Sequence, residues 1–319
     1  MLWSLISLWI LIKLVQAVYH LIKSFWAWLG RGPNVRRAVE QNLVSDEVRE
    51  AVETIETSRA ARKLGKGEQG PIQRLTPSQI REIHEAETIV REDFLDHVKI
   101  SWYQITLIFF IGSVLGLVLE EVWMLITAGL TESRVGLVWG PFSPMYGAGA
   151  VLLTFVTFDM RRVHMPSWAV FLACMVVGGL LEQITGWAME TFMGAVSWDY
   201  IAGGVPGAIT KWVAVPFLFF WGLLGYIWYR FVMPGLLYSL GVPTTRRKAI
   251  FVTALATYLG LDIFMTLVCF TRRAERDAGI PADNGFEEWV DENYSNAFMS
   301  ERFQNMVIEG TGSAAAAQS

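Results

Sequence analysis

The stretch YQITLIFFIGSVLGLVLEEVWMLIT, residues 103–127, decides the class of protein. A helix needs about 20 mostly apolar residues to cross a bilayer, and this stretch carries no charge from Ile105 to Leu119. Comparable apolar segments follow at 147–160, 167–189, 212–233 and 249–270. The sequence therefore predicts an all-α fold, a polytopic membrane helix bundle with five core spans.

The overall composition agrees with a membrane protein. Of the 319 residues, 53% are hydrophobic and 18% are charged, and the mean hydropathy is +0.37. Soluble domains carry about 25% charged residues. A formal net charge of −4 provides no electrostatic basis for binding nucleic acid. The two cysteines, Cys174 and Cys269, lie in apolar runs and are expected to pack against neighbouring helices.

The chain outside the membrane domain has three further regions. Residues 1–29 are apolar with one polar stripe, which suits a span or an interfacial helix, and a span is favoured. Residues 30–100 are rich in charges of both signs and predict a small cytoplasmic helical region, with a helix starting at Thr76 and Pro77. The membrane domain is 101–270, and 271–319 form a polar tail whose end is expected to be disordered.

The sidedness of the loops follows from the basic residues near the spans. Basic residues collect on the cytoplasmic side of membrane proteins, which places the region 30–100 in the cytoplasm and the loops 128–146 and 190–211 outside. The same alternation places the tail outside. That conflicts with the rule, because the tail opens with Arg272, Arg273 and Arg276.

Acidic residues interrupt the apolar spans. A carboxylate near the bilayer centre costs about 2.5–3.5 kcal/mol on insertion scales, and such residues usually face a protein interior or a cavity. Glu120, Glu182, Glu190 and Asp262 fall in or near spans, and Asp199 lies in the second outer loop. Few basic residues lie close to them in the sequence. We therefore expect some of these acids to be protonated, to bind a cation or to line a hydrated cavity.

Two of the acids lie in segments that resemble one another. IGSVLGLVLEEVW and ACMVVGGLLEQIT align with Gly116 opposite Gly178 and Glu120 opposite Glu182. A loop rich in glycine and aromatic residues follows each segment, and then another apolar stretch. If the alignment reflects a true repeat, the core consists of two hairpins in the same orientation, as in transporters with parallel repeats. Chance alignment of short apolar segments is the alternative.

The two outer loops carry the most specific motifs. The first reads GLVWGPFSPMYGAG (136–149), and the second contains METFMGAVSWDY (189–200). Together they resemble the signature of a bacterial family named putative ABC-transporter type IV, or putative ABC transporter permease. The resemblance rests on a GP-x-x-P-x-YG loop, a Glu-bearing helix, a later Glu and a W-D-Y motif. The matching positions are Gly140, Pro141, Pro144, Tyr146, Gly147, Glu120, Glu182, Glu190, Trp198, Asp199 and Tyr200.

The resemblance implies an integral transport component of the bacterial cytoplasmic membrane with several spans. Its substrate would be bound by Glu120, Glu182, Glu190, Trp198, Asp199, Tyr200, Pro141, Pro144 and Tyr146. One departure from the pattern is that Arg134 stands one place earlier than the basic residue expected before Gly136. No GxxxxGKS or GxxxxGKT motif occurs, so nucleotide hydrolysis would belong to a separate subunit. That subunit, or another protein, would dock on 30–100, and self-association stays open.

Two other functions remain open. A membrane-embedded enzyme could use a carboxylate pair, or a metal held by carboxylates, on a lipid-linked substrate. The chain contains no hydrolase motif such as HExxH or GxSxG, which favours a protein without catalytic activity, and no cofactor is expected. A membrane scaffold, with acids that only pair helices, is the third hypothesis. The sequence does not identify a metal site or a substrate, although acidic walls would favour cationic groups.

Overall fold

A computed structural model describes residues 13, 16, 20, 23–30, 34–63 and 74–308. The expected disorder at the end of the tail lies outside these residues. The question whether 1–29 spans the membrane lies largely outside them as well. The described part divides into two compact units, one containing the polar helices together with residues 234–244, and the other containing residues 100–233 and 245–308.

The polar unit is helical, as the sequence predicts. It contains α1 (Asn34–Glu40), α2 (Asp46–Lys63) and α3 (Pro77–His97). The predicted start of α3 is confirmed: the Thr76 side chain accepts a hydrogen bond from the Gln79 amide, and the Gln79 side chain accepts one from the Thr76 amide. The helices share an apolar core made of Ala38, Val44, Val48, Val52, Ile83, Ala86, Val90 and Tyr238.

The second unit starts with three helices, α4 (Trp102–Ala128), α5 (Pro144–Arg162) and α6 (Ser167–Met193). The chain then forms a long helix over Val215–Leu240, made of α7 (Val215–Ile227), a π-helical turn (Trp228–Val232) and α8 (Met233–Leu240), of which residues 234–240 belong to the first unit. The chain continues into α9 (Arg246–Asp277). Among the described residues, four helices are long and apolar enough to cross a membrane: α4, α6, Val215–Leu240 and α9.

The predicted count of five core spans is not confirmed. The segment 147–160 does form a helix, but α5 is not among the four candidate spans. This helix has 19 residues, from Pro144 to Arg162, and its last turn contains Asp159, Arg161 and Arg162. Because charged residues occupy its last turn, the apolar part is shorter than the roughly 20 residues that a span requires.

The tail folds onto the outer loops. It forms α10 (Gly285–Asn293), α11 (Asn296–Arg302) and β2 (Val307–Ile308). The short strand β2 pairs antiparallel with β1 (Ala195–Val196), which follows α6 directly. A cluster of buried apolar side chains, including Phe270, Val290, Met299 and Phe303, joins the tail to the end of α9. The tail and the loop after α6 therefore lie on the same side of the bundle.

The three arginines at the start of the tail are paired within the protein. Arg272, only 3% exposed, donates to Asp291 at 2.6 Å and to Glu275 at 2.5 Å. Arg276 also binds Asp291, and Arg273 donates to Ser300 at 3.1 Å. Their partners on α10 and α11 hold the tail against the end of α9.

Glycines let the helices of two hairpins approach closely. In the hairpin of α4 and α5, a Cβ added at Gly116 would lie 2.2 Å from the Cβ of Tyr146. In the hairpin of α6 and α7, a Cβ at Gly178 would lie 2.1 Å from Cγ of Trp221. Close packing at small residues is a common basis of helix association in membranes. The two glycines that the sequence aligns thus perform the same packing role.

We predict that Gly178→Ala destabilises the protein by about 1–3 kcal/mol, the usual cost of overpacking a tight core. Thermal unfolding of the purified chain in detergent measures the change. Gly260→Ala in α9 is the matched control, because a Cβ there meets nothing within 4 Å. Equal melting temperatures for Gly178→Ala and the wild type would contradict the packing role.

We also predict that Asp291→Asn loosens the tail. The Arg272 guanidinium lowers the pKa of Asp291 through its hydrogen bonds, so the folded state favours the ionised form. This contribution to stability is present above the ordinary aspartate pKa of about 3.9 and is lost as the pH falls through the lower folded value.

Limited proteolysis of the tail measures this effect at neutral pH. We expect faster cleavage between residues 278 and 308 for Asp291→Asn than for Glu288→Gln, which changes an exposed acid on the same helix. Lowering the pH below about 4 should speed cleavage of the wild type and change the variant less. Identical cleavage rates for both variants would show that the tail does not depend on this ion pair.

Candidate functional site

Glu120 lies on α4 in a network of polar side chains. Its Oε1 accepts a hydrogen bond from Nη1 of Arg134 at 3.0 Å, forming an ion pair with the first outer loop. The carboxylate also accepts a hydrogen bond from the hydroxyl of Tyr146 on α5. Both partners of the ion pair are partly shielded, with side-chain exposures of 12% for Arg134 and 22% for Glu120. The charge of Glu120 is therefore balanced within the protein.

Glu182 on α6 is more deeply buried, with 5% of its surface exposed. Its Oε1 accepts hydrogen bonds from Nε1 of Trp221 at 3.1 Å and from the hydroxyl of Tyr200 at 3.3 Å. Its other oxygen, Oε2, is buried and has no hydrogen-bond partner among the described residues. Burial, together with the nearby Glu182 carboxylate, raises the pKa of Tyr200, so that this hydroxyl stays protonated and donates.

The two glutamates occupy matching positions in the two hairpins. Gly116 precedes Glu120 by one helical turn, and the aromatic side chain packed on that glycine, Tyr146, also binds Glu120. In the second hairpin, Trp221 packs on Gly178 and binds Glu182. The alignment seen in the sequence therefore corresponds to a repeated arrangement of a glycine, an acid and an aromatic donor from the following helix.

Glu120 and Glu182 line one cavity of about 650 Å³. Its volume lies within the range of roughly 300–1,000 Å³ that is typical of small-molecule sites. Polar groups from α4, α5, α6, both outer loops and the tail reach it. Apolar and methionine side chains form most of the remaining wall. The lining includes Glu120, Trp123, Met124, Arg134, Ser143, Pro144, Met145, Tyr146, Glu182, Met189, Met193, Ser197, Trp198, Tyr200, Phe217, Asn305 and Met306.

The structure brings together six of the nine residues predicted to bind substrate: Glu120, Glu182, Pro144, Tyr146, Trp198 and Tyr200 line the cavity. Glu190 does not line it, and its carboxylate pairs with Nζ of Lys211 at 2.7 Å. Asp199 accepts hydrogen bonds from the backbone amides of Ile201 and Ala202, at 3.0 and 2.8 Å, and so forms a turn.

Pro141, the remaining predicted residue, is exposed in the first loop. It follows Gly140, whose φ of +63° requires the left-handed backbone that glycine adopts readily. A Cβ at Gly140 would also lie 2.3 Å from the Phe142 ring. Gly140 therefore sets a bend in this loop. Pro144 occupies the first turn of α5, where the missing N–H of a proline is tolerated.

Several residues of the site were not among the predicted ligand residues, and three of them make polar contacts that show why. Arg134 could have been identified, because the family pattern has a basic residue near this position. Trp221 lies in FFWGLLG (219–225), a stretch that also resembles the family signature, but nothing in the sequence indicates that its indole binds Glu182. Asn305 comes from the tail and donates to Oγ of Ser197 at 2.9 Å, a contact over a distance of 108 residues that local patterns do not predict.

The intramembrane acid Asp262 holds the first outer loop in place. Its Oδ1 accepts a hydrogen bond from the Trp139 amide at 2.9 Å, and Thr266, one turn later, accepts one from the Val138 amide at 2.9 Å. Arg302 of the tail donates to the Leu137 carbonyl at 2.9 Å and to the Gly140 carbonyl. Asp262 finds its partner within the protein, as its apolar neighbours in the sequence require.

The donor set of the site is organised for hydrogen bonding. Within the described ranges, no group of three or more His, Cys, Asp or Glu side chains is placed to hold a metal ion. The cavity offers one balanced ion pair, one further carboxylate, two tyrosine hydroxyls and an amide. Such an arrangement can orient a small polar group and surround an apolar one.

Comparison with known proteins identifies the family. The sequence profile described as Putative ABC-transporter type IV matches residues 107–267. The chain belongs to this family. The matched range contains both glutamates, Arg134, the tyrosines and Trp221, and it ends before Asn305. No curated protein and no solved structure matches the chain. Together with the four apolar helices, the family indicates a multi-pass membrane protein related to transport.

We predict that Arg134→Gln lowers the stability of the site more than the double change Arg134→Gln with Glu120→Gln. Removing the arginine alone leaves a shielded carboxylate without its charged partner, at a cost of about 1–3 kcal/mol. Thermal unfolding of the wild type, both single variants and the double variant measures the coupling. Additive effects would mean that the ion pair does not couple the loop to α4.

Proposed function

We propose that this chain is the permease-like membrane component of a transporter in the bacterial cytoplasmic membrane, and that its ligand binds in the Glu182 cavity. The unpartnered Oε2 of Glu182 is the observation that carries the proposal. Buried polar groups in proteins are nearly always hydrogen-bonded. Because Glu182 also lines a cavity of ligand size, a ligand that binds and leaves would supply the missing partner.

The energetic cost of the acid supports a functional role. Trp221 and Tyr200 occupy only one oxygen of Glu182, and the neighbouring helix and loop leave the other oxygen without a partner. Retaining a carboxylate in a candidate span costs about 2.5–3.5 kcal/mol on insertion scales. Ligand binding provides a reason for that cost, which helix pairing alone does not.

The contacts assign different roles to the predicted residues. Glu182 and Tyr200 would bind the ligand, with Tyr146, Trp198 and Pro144 shaping the walls. Glu120, with Arg134, would hold the first loop against α4. Glu190, Asp199 and Pro141 would maintain the loops. This division is less favourable for an enzyme that uses two glutamates as acid and base, because Glu120 is engaged by an arginine and only Glu182 has an open oxygen.

The energy source would come from a second protein. The chain contains no nucleotide-binding GxxxxGKS or GxxxxGKT motif. The polar unit formed by α1–α3 has a compact apolar core and a charged surface, which suits it to dock a separate ATP-binding subunit in the cytoplasm. In this scheme the regions are the N-terminal segment 1–29, the docking region 30–100, the membrane domain 101–270 and the tail 271–319.

A transport measurement that works with an unidentified substrate tests this proposal. Membrane vesicles would be prepared from the native host with the gene deleted, restored, or restored as Glu182→Gln. A complete extract of the host's small molecules and lipids would be offered with and without ATP. Mass spectrometry would then identify what the vesicles accumulate or lose. We expect at least one compound to depend on the wild-type gene, with at least tenfold slower movement for Glu182→Gln.

Glu121→Gln is the matched control for this experiment. It removes the acid next to Glu120 on the same helix, and Glu121 is exposed and does not line the cavity. We expect this variant to move the compound at the wild-type rate. Vesicles with and without the gene that handle every compound alike would overturn the proposal, as would normal movement in Glu182→Gln.

A further inference from the structure

The cavity is bordered by side chains that point out of the bundle. Trp123, Ile184, Phe192 and Leu267 line the cavity, yet between 47% and 68% of their surface is exposed. They belong to α4, α6 and α9, three of the candidate spans. On such helices, exposed apolar side chains face the hydrocarbon of the bilayer. The cavity is therefore bordered by lipid on one side, so that a ligand can reach it from the membrane.

The polar end of the cavity contains one acid without a basic partner. The Arg134 guanidinium balances Glu120, which leaves Glu182 as the one carboxylate of the lining without a basic partner. In the described part of the chain, three buried polar atoms of the lining have no hydrogen-bond partner: the acceptors Oε2 of Glu182 and Oδ1 of Asn305, and the donor Nε of Arg134. A ligand that completes this site brings hydrogen-bond donors and a positive charge for Glu182, while Arg134 can bind an acceptor of the same ligand.

Resting on the function proposed above, we infer that the ligand is an amphiphile with a protonated primary amine as its head and an apolar body. The ammonium group donates to Glu182 and to Asn305, because it has three hydrogens to share. The apolar body lies against the methionine and aromatic walls, where Met189, Met193 and Phe217 provide adaptable contacts.

Other ligand classes fit the cavity less well. A bare inorganic cation such as Ca²⁺ takes six to eight oxygen ligands, and the described residues contain no group of three or more acidic, histidine or cysteine side chains placed to hold one. An anion would meet the unbalanced carboxylate of Glu182. A neutral alkane-like molecule would leave both buried acceptors without donors, which is costly in an apolar site.

Binding to the purified full-length chain in phosphatidylcholine nanodiscs tests this inference. Dodecylamine is the probe, with dodecanol as the neutral molecule of equal chain length and ethanolamine as the amine without a chain. Fluorescence of the cavity tryptophans, Trp123 and Trp198, reports occupancy. We expect saturable binding of dodecylamine, at least tenfold weaker binding of dodecanol and ethanolamine, and at least tenfold weaker binding of dodecylamine to Glu182→Gln.

Two further variants keep the test independent of folding. Asn305→Leu removes the second acceptor from a segment outside the candidate spans, and we expect it to weaken dodecylamine binding at least threefold. Glu121→Gln should bind like the wild type. Nanodiscs containing phosphatidylethanolamine distinguish the source of the amine: competition with dodecylamine assigns the head group to a membrane lipid, and absence of competition assigns it to a free long-chain amine.

The inference is overturned if dodecanol binds as tightly as dodecylamine, or if Glu182→Gln binds dodecylamine like the wild type. This outcome is separable from the vesicle experiment. If the vesicles move a compound that is not an amine, and only when Glu182 is present, the transport function stands and the inferred ligand class is wrong. If the chain binds the amine but vesicles move no compound, the ligand site stands and the transport function is wrong.

Discussion

A carboxylate within hydrocarbon must obtain from the protein the hydrogen bonds that water would otherwise supply, and this requirement organises the second unit. Glu182 is bound by Trp221 of α7 and by Tyr200 of the second loop. Glu120 is bound by Tyr146 of α5 and by Arg134 of the first loop. Asp262 binds the first loop through the Trp139 amide. Each acid thus gathers a segment that is distant in sequence. The cavity lies where two of these sets of contacts meet.

The close approach of the helices depends on glycines as much as on the acids. Trp221 can reach Glu182 because its ring lies directly on Gly178, and Tyr146 reaches Glu120 across Gly116. A small residue followed four positions later by an acid places the acid on the same face of the helix. An aromatic donor that packs on the small residue therefore lies beside the carboxylate. The same geometry occurs in both hairpins, so the two halves of the bundle share this set of contacts.

The sequence predicted the apolar helices, the start of α3 and the motifs of the two loops, because each depends on periodicity or on residues close together in the chain. Hydropathy selected the apolar centre of α5 as a span, but the charged residues of its last turn keep α5 out of the four candidate spans. Within the site, Glu182 could be selected as an acid in an apolar segment, and Tyr200 from the W-D-Y motif of the family resemblance. Their partners could not, because Trp221 and Asn305 are common residues whose importance arises only when distant segments fold together. The pairing of Glu190 with Lys211, across a loop, likewise cannot be predicted from a local sequence pattern.

The tail is the feature of this cavity that lies beyond the family match. The matched residues end at 267, whereas Asn305 and Met306 reach the cavity from a segment anchored by the pairing of β2 with β1. A short C-terminal segment outside the matched region therefore forms part of the cavity wall. A fusion tag placed directly after Ile308 would sit next to this strand, so an amino-terminal tag is the safer choice for purification.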